Sequence, residues 1–443
     1  MRRLLFIFSF LSLLVVDGKA QEVETLTLED CLRIGIDNNL SLEGKRKEIQ
    51  KSKYGVSENR SKLLPQITVI AGYNNNFDPP VSVTDGSSYG VPYNITKTLQ
   101  HTANAGLEMQ MPLFNQTLYT SMSIAKVMEE ISRLSYGKAR EDIIMQISKM
   151  YYLGQVTAEQ IELIKANITR LEELRDITQA FFDNGMSMEV DLKRVNINLE
   201  NLKVQYDNAQ AMMKQQLNML KYIMDYPAEK EFVLTPVNTD SITTVALTGL
   251  SENIYELQLS QSQVQLAEKQ KKIISNGYIP SLSLTGSWRY AAYTDKGYHW
   301  FHSGPSNHWF RSYGLGLTLR IPIFDGLDKT YKIKKAMIDI ENRKLAWENA
   351  RKSLQTQYLN AVNDLMNNQR NFKKQKDNYL LAEDVYTVTS DRYREGIASM
   401  TEVLQDEMQM SEAQNNYISA HYNYRITNLM LLKLTGQIES LVK

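Results

Sequence analysis

The chain has 443 residues, and its 50 lysines and arginines are balanced by 50 aspartates and glutamates. A formal net charge of zero provides no basic field that would attract nucleic acid, so no nucleic-acid partner is expected. The length allows two or three ordinary domains, or one elongated domain built from repeated halves.

The N-terminal segment, residues 1–20, has the pattern of a secretory signal peptide. Arginines precede an apolar run from Leu4 to Val16, and a small-residue cleavage site ends at Ala20. A membrane-spanning helix needs roughly 20 apolar residues, and this run is shorter. We therefore expect export of the chain. The single cysteine, Cys31, has no partner for an internal disulfide and is expected to be a small buried apolar residue.

Two segments that alternate apolar and polar residues come next. The alternation is the period of two of a β-strand with one apolar face, and it predicts strands over 65–76 and 102–113. Glu108 falls in the polar row of the second segment. A loop near residues 75–101 joins the two strands.

A stretch without proline follows, from residue 113 to residue 226. Because proline breaks helix interiors, this stretch is free to form one long helical hairpin, predicted over 115–222 with its turn at Gly185. Apolar and small residues recur there at alternating spacings of three and four, which is the 3.5-residue period of coiled-coil packing. The row in the first arm is Ile147, Met150, Gly154, Thr157, Ile161, Ile164, Ile168 and Leu171.

The same elements recur in the second half of the chain. Strands are predicted over 280–293 and 311–323, with the charges of Arg289 and Arg320 in their polar rows. A second hairpin is predicted over 326–435, with its turn at Gly396. The seam of its last arm is Met410, Ala413, Tyr417, Ala420, Tyr424, Thr427, Leu431 and Leu434.

The order and near-constant spacing of these elements indicate a tandem duplication. The Leu64-Pro65 pair at the first strand recurs as Ile279-Pro280 at the third. The predicted organisation is therefore a first structural repeat over 21–226, a linker over 227–250 and a second repeat over 251–443.

The four strands have the length needed to cross an outer membrane as a tilted barrel, although a soluble sandwich gives the same alternation. A closed barrel takes about eight strands or more. Strand edges cannot face lipid unpaired, so a membrane-spanning sheet of four strands requires oligomerisation. Aromatic residues cluster at the end of the predicted strands that adjoins the second loop, where they suit an aromatic girdle at the membrane interface. They are Tyr298, Trp300, Phe301, Trp309 and Phe310.

Together, the signal peptide, the Leu-Pro and Ile-Pro strand entries, the strand exits Met111–Asn115 and Ile321–Asp325 and the glycine turns resemble the TolC family of outer membrane efflux proteins. The resemblance implies an α+β membrane protein in which three copies of four strands form a trimeric 12-stranded outer membrane β-barrel. The duplicated helical hairpins continue as a coiled-coil tunnel through the periplasm. It places the linker 227–250 in an equatorial belt, and the protein in the outer membrane of a Gram-negative bacterium.

The function that the resemblance implies is a passive exit duct for a tripartite efflux or type I secretion system. Its implied partners are two further copies of the chain, a periplasmic adaptor, an inner membrane transporter of RND or ABC type and outer membrane lipid. The alternative is a periplasmic coiled-coil adaptor without a membrane barrel, which would need a lipoyl-like β domain and a single hairpin. The transported substrate is not encoded in these patterns.

The resemblance also assigns residues at the periplasmic tip. It implies a hydrogen bond between Asp191 and Tyr393, and a constriction lined by Glu402. Ala398 stands where the family has an arginine, and Gln405 where it has a second acidic residue. The resemblance thus implies that the closed-state contacts are only partly preserved.

No catalytic or nucleotide-binding motif is found in the sequence, so an enzyme and a cofactor are not expected. His299, His302 and His308 cluster in the second surface loop. Because neither a cysteine nor a fixed carboxylate spacing accompanies these histidines, no metal site is expected.

Overall fold

The computed structural model describes residues 24–236, 249–294 and 308–442. The predicted signal peptide, the loop residues 295–307 and residues 237–248 of the predicted linker lie outside these ranges. Two compact units are present. The helical unit comprises Met1–Leu40, Glu141–Gly249 and Tyr358–Lys443, and the sheet unit comprises Ser41–Arg140 and Leu250–Gln357.

Strands and helices occur in short runs along the described chain. In chain order the elements are β1 Glu24–Leu26, α1 Leu28–Asn38, α2 Leu40–Ser61, β2 Gln66–Asn75, β3 Val81–Asp85, β4 Tyr93–Lys97, β5 His101–Phe114, α3 Gln116–Asp183, α4 Glu189–Met224, β6 Phe232–Leu234, α5 Tyr255–Ser275, β7 Ser281–Thr294, β8 His308–Arg320, α6 Asp328–Arg394 and α7 Met400–Leu434.

The four predicted strands form one antiparallel sheet in the order β2-β5-β7-β8. The register aligns Val69 with Leu107, Leu107 with Trp288 and Trp288 with Tyr313. The alternation of each strand therefore produces one continuous apolar face and one polar face. The last strand ends at Arg320 rather than at the predicted residue 323, because Pro322 has no N–H to donate to a ladder.

The apolar face of this sheet is uncovered. Tyr313 is 78% exposed and Leu315 is 80% exposed, and Leu317 and Leu319 beside them are also exposed. A contiguous apolar surface of this kind is unfavourable in water and marks a face made for lipid or for another protein. Strands β2 and β8 are the two edges of the sheet.

The loop between β2 and β5 contains an antiparallel hairpin that the sequence analysis did not predict. Strands β3 and β4 pair with Val83 opposite Ile95, and Gly90 in the turn has a φ of 73°. A left-handed residue in a short turn is where glycine is favoured.

The predicted helical seams are buried in the structure. In the helical unit, Leu171, Val195, Val403 and Met410 form one hydrophobic core in which each is essentially inaccessible to solvent. The four helical arms bury these rows because residues three and four apart lie on one face of a helix.

The predicted linker contains a short strand. β6 pairs in parallel with β1, and Leu26 and Leu234 of this pair are buried. Gly154 of α3 approaches the Leu234 side chain so closely that a Cβ atom would lie 2.6 Å from Leu234 Cδ1. Cys31 is buried as expected, and burial raises the pKa of its thiol to about 12.

Candidate channel walls and hairpin tip

The two hairpin turns have the same backbone geometry. Gly185 has a φ of 72° and Gly396 a φ of 76°. In each turn the residue after the glycine donates its N–H to a carbonyl five residues earlier, that of Phe181 at 2.7 Å and that of Arg392 at 2.8 Å. This is the usual way for a glycine to end a helix, and it reverses the chain at both tips.

The helices that leave the two turns begin differently. Ser399 caps α7, and its Oγ accepts the N–H of Glu402 while the Glu402 carboxylate accepts the N–H of Ser399 at 3.2 Å. Met188 at the start of α4 makes no side-chain cap. The Glu402 carboxylate is thus engaged with the backbone of its own helix, a capping box that the sequence signature Ser-x-x-Glu could have revealed.

Tyr393 is held by a residue that the sequence analysis did not single out. Its side chain is 6% exposed, and its hydroxyl donates to Thr178 Oγ1 at 3.3 Å. The predicted hydrogen bond between Asp191 and Tyr393 is therefore wrong in this structure. Asp191 instead accepts a hydrogen bond from Arg194 at 3.2 Å, because a charged donor lies one helical turn away on the same face.

The predicted tip residues do not all lie in one place. Asp191 and Tyr393 line one shallow depression between the two turns, together with Gly185, Gly396 and Ala398. Gln405 is exposed on α7. Nothing in the sequence marked Thr178, because a threonine inside a helix has no distinctive pattern.

Glu407 is a buried carboxyl group that the sequence analysis did not single out. Glu407 is 5% exposed, and burial raises its pKa. It occupies the seam of α7, since it lies three residues before Met410 and four after Val403. Strict alternation of three and four, extended from Met410 toward the tip, would have placed Asp406 there instead, so the pattern points one residue away from Glu407.

A buried polar network joins α3 to α7. Tyr417 donates to Glu159 at 2.8 Å, and Arg425 Nε donates to His421 Nε2 at 3.0 Å. Since Arg425 can only donate, His421 Nε2 must accept, and its Nδ1 donates to Glu159 at 3.3 Å. Burial alone would raise the pKa of Glu159, but the hydrogen bonds from His421 and Tyr417 outweigh it and lower that pKa.

The polar face of the sheet carries the three charged residues predicted there. Arg289 donates to Glu108 across β7 and β5 at 2.5 Å, so these two charges neutralise one another. Arg320 lies at the end of β8 nearest α6. A groove of about 620 Å³ runs along this face, lined by Gln66, Thr68, Glu108, Gln110, Thr285, Ser287 and Arg289.

Arg311, within the predicted strand 311–323, is a strand charge that does not fall in a polar row. This residue is aligned with Tyr290 and lies on the apolar face. Of the predicted aromatic girdle, Trp309 is on the apolar face and Phe310 on the polar face, while Tyr298, Trp300 and Phe301 are outside the described residues.

Among the described residues, none of the helices is long and apolar enough to cross a membrane. Within the same residues, no group of three or more histidine, cysteine or acidic side chains is placed to hold a metal ion. The loop histidines His299 and His302 lie outside those residues, as does the side chain of His308.

A sheet with one lipid-suited and one polar face, joined to duplicated helical hairpins, defines a subunit of an outer-membrane channel. Residues 34–224 and 240–437 match the family model for outer membrane efflux proteins. The chain belongs to this family, and it is an outer membrane protein that extends into the periplasm.

Similar proteins match most of the length of the chain. The outer membrane protein TolC of Vibrio cholerae is 21% identical over 86% of this chain and 84% of its own. The alkaline protease secretion protein AprF of Pseudomonas aeruginosa is 20% identical over 96% of this chain and 86% of its own. The open-state structure of the Neisseria gonorrhoeae MtrE outer membrane channel superposes with a TM-score of 0.74 at 18% identity, covering 92% and 88% of the two chains.

Proposed function

We propose that three copies of the chain form a passive exit duct through the outer membrane. The observation that carries this proposal is the four-stranded sheet, which has one exposed apolar face, one polar face and two edges, β2 and β8. In lipid, both edges must be paired, and three copies joined edge to edge give a closed barrel of twelve strands. The Glu108–Arg289 pair and Arg320 would then line the lumen.

The helical unit also offers a surface for neighbouring copies. Val190, Ile197 and Val204 of α4 are exposed and recur every seven residues. A row with this spacing is a coiled-coil seam without a partner in the single chain. The fold supports a trimer in which such seams close a helical tunnel.

The proposed partners at the hairpin tips are a periplasmic adaptor and, through it, an inner membrane transporter of RND or ABC type. Relatives include the antibiotic efflux pump outer membrane protein ArpC of Pseudomonas putida as well as the protease secretion protein AprF. Both small-molecule efflux and protein secretion are therefore represented among similar proteins. Family membership supports a role as a channel component.

The proposed gate is the set of tip residues Asp191, Tyr393, Glu402 and Gln405, which lie within nine residues of the turn glycines Gly185 and Gly396 in sequence. Three Glu402 carboxylates around one axis would attract cations. Tyr393 would contribute by fixing α6 to α3 through Thr178.

The alternative of a periplasmic adaptor is not supported. An adaptor of that type has one hairpin, whereas this chain has two hairpins and an amphipathic sheet, and the family match covers both halves. The deciding experiment is light scattering of the protein in mild detergent together with fractionation of membranes. A trimer of about 150 kDa in the outer membrane fraction supports the duct, given a chain of 51.0 kDa. A soluble monomer would refute it.

A further inference from the structure

Arg311 is a charged residue on the face of the sheet that carries leucines. Its register partner on β7 is Tyr290, and its guanidinium lies 6.0 Å from the centroid of the Tyr313 ring. The side chain of Arg311 is exposed. An arginine facing hydrocarbon is costly at the midplane of a bilayer but is tolerated near the interface.

The position of Arg311 along β8 matches that interface. From Arg311 the apolar row continues through Tyr313, Leu315, Leu317 and Leu319 to Ile321. The ten strand residues Arg311–Arg320, at the rise of a β-strand and tilted as in outer membrane barrels, span roughly 23 Å of membrane thickness. This is close to the height of the apolar band of such barrels, so Arg311 lies at one boundary of the band.

Aromatic side chains surround Arg311 on the same face. Trp288 and Tyr290 contact each other edge to face, with ring centroids 5.3 Å apart. Trp309 lies two residues before Arg311 on its own strand. On β2, the opposite edge strand, Tyr73 lies level with Trp309 in the register, two residues beyond Arg311, and makes a hydrogen bond of 2.8 Å with His101 of β5. Tryptophan and tyrosine collect where hydrocarbon meets lipid headgroups.

An apolar groove begins directly beside this ring of aromatic residues. It has a volume of about 530 Å³. Its lining includes Trp288, Tyr313, Leu315, Leu107, Met109 and Ile67. Gly286 forms part of its floor, and a Cβ atom there would lie 3.2 Å from Leu315 and Met109 side-chain atoms.

We propose that Arg311 and this groove bind one phosphorylated lipid. The guanidinium takes the phosphate of the headgroup through charge-assisted hydrogen bonds, with the Tyr290 hydroxyl as a second donor, and the groove takes an acyl chain. Arg311 lies at the end of the sheet away from α2, α3, α5 and α6, so the lipid belongs to the leaflet on the side of the surface loops. The inference rests on the proposed barrel.

The test is native mass spectrometry of the purified full-length protein in mild detergent. Three probes are added separately: lipid A, which carries phosphates and acyl chains; diacylglycerol, which has acyl chains only; and inorganic phosphate. The variants are Arg311→Gln, Arg311→Lys, Gly286→Leu to fill the groove, and Arg320→Gln as a charge-matched control on the polar face. The trimer mass in each spectrum reports folding and assembly.

The proposal expects lipid A to remain bound to the wild type and to Arg320→Gln, and to bind at least about tenfold more weakly to Arg311→Gln. Arg311→Lys should retain part of the affinity for lipid A. Gly286→Leu should lose that affinity even though Arg311 is unchanged, because the leucine fills the groove. The lipid site would be overturned if Arg311→Gln retained as much lipid A as the wild type does. It would also be overturned if the wild type retained diacylglycerol, or bound inorganic phosphate, as tightly as lipid A. If Arg311→Gln does not assemble, Gly286→Leu decides. Failure of the wild type to form a membrane trimer would refute the barrel instead.

Discussion

The hydroxyl of Tyr393 on α6 donates a hydrogen bond to Thr178 Oγ1 on α3, 3.3 Å away and buried below the hairpin turns. The Thr178 hydroxyl in turn donates a hydrogen bond to the Leu174 carbonyl at 2.7 Å. The two arms that end at the tip are therefore joined by a polar contact inside an apolar core.

We predict that Thr178→Val and Tyr393→Phe each destabilise the helical unit by about 0.5 to 1.5 kcal/mol, the net contribution of a neutral hydrogen bond. Both substitutions conserve shape, so neither leaves a large cavity. Thr178→Val also removes the hydrogen bond to the Leu174 carbonyl, so the bond between the two hydroxyls is isolated only by a cycle of variants. Chemical denaturation of the single variants and the double variant forms a cycle. Strictly additive effects would show that the two hydroxyls are not coupled.

Glu407 should make the protein less stable at neutral pH than it would be with a neutral side chain. Burial raises the pKa of Glu407 in the folded state above its unfolded value. Its contribution to stability is therefore fully present below the unfolded pKa and is lost as the pH rises through the folded pKa. Glu407→Gln should raise the midpoint of thermal unfolding at pH 7, and the gain should shrink toward pH 4.

The matched control for Glu407 is Glu162→Gln on the exposed side of α3. This variant should leave the unfolding midpoint nearly unchanged at both pH values. An equal gain in the two variants would point to net charge rather than burial as the cause.

The opposite pH dependence is predicted for Glu159. The pKa of Glu159 is lowered in the folded state. Its contribution to the stability of the fold is therefore present above the unfolded pKa and is lost as the pH falls through the folded pKa. Tyr417→Phe removes one hydrogen bond to this carboxylate and should cost about 1.5 to 3 kcal/mol at pH 7. Tyr422→Phe, on a half-buried tyrosine of the same helix, is the control. A cost for Tyr417→Phe that stays the same as the pH falls through the acid range in which Glu159 becomes protonated would contradict this assignment.

Glu402 tests the proposed gate. In planar bilayers, Glu402→Gln should lower the preference for cations if three such carboxylates surround the pore. Gln still accepts the N–H of Ser399, so the capping box is retained and the helix start is not disturbed. Gln405→Glu should raise the preference for cations. Unchanged ion selectivity in both variants would remove these residues from the constriction.

The fold was largely predictable from the sequence because its two periodicities are strong. The rows of alternating residues in β2, β5, β7 and β8 and the seams of the helical arms appear in the structure where the sequence analysis placed them. The β3–β4 hairpin and the β1–β6 pair were missed, since segments of three to five residues carry too little pattern.

The tip was less predictable because its contacts depend on which donor lies nearest. Asp191 has the expected position, but Arg194 one turn away supplies a charged donor and takes its carboxylate. Tyr393 then bonds to Thr178, a residue with no recognisable signature. Arg311 could have been found from the alternation alone, since it shares the parity of Trp309 and Tyr313.

The central claim is that β2 of one copy pairs with β8 of the next to close a three-copy barrel. Its most direct measurement is disulfide cross-linking in isolated outer membranes, with Thr68→Cys combined in turn with Gly314→Cys, Gly316→Cys and Thr318→Cys, all in a Cys31→Ser background. We predict that one of these pairs produces a covalent ladder that ends at three chains. Monomers only, or a ladder that continues past three chains, would contradict the account.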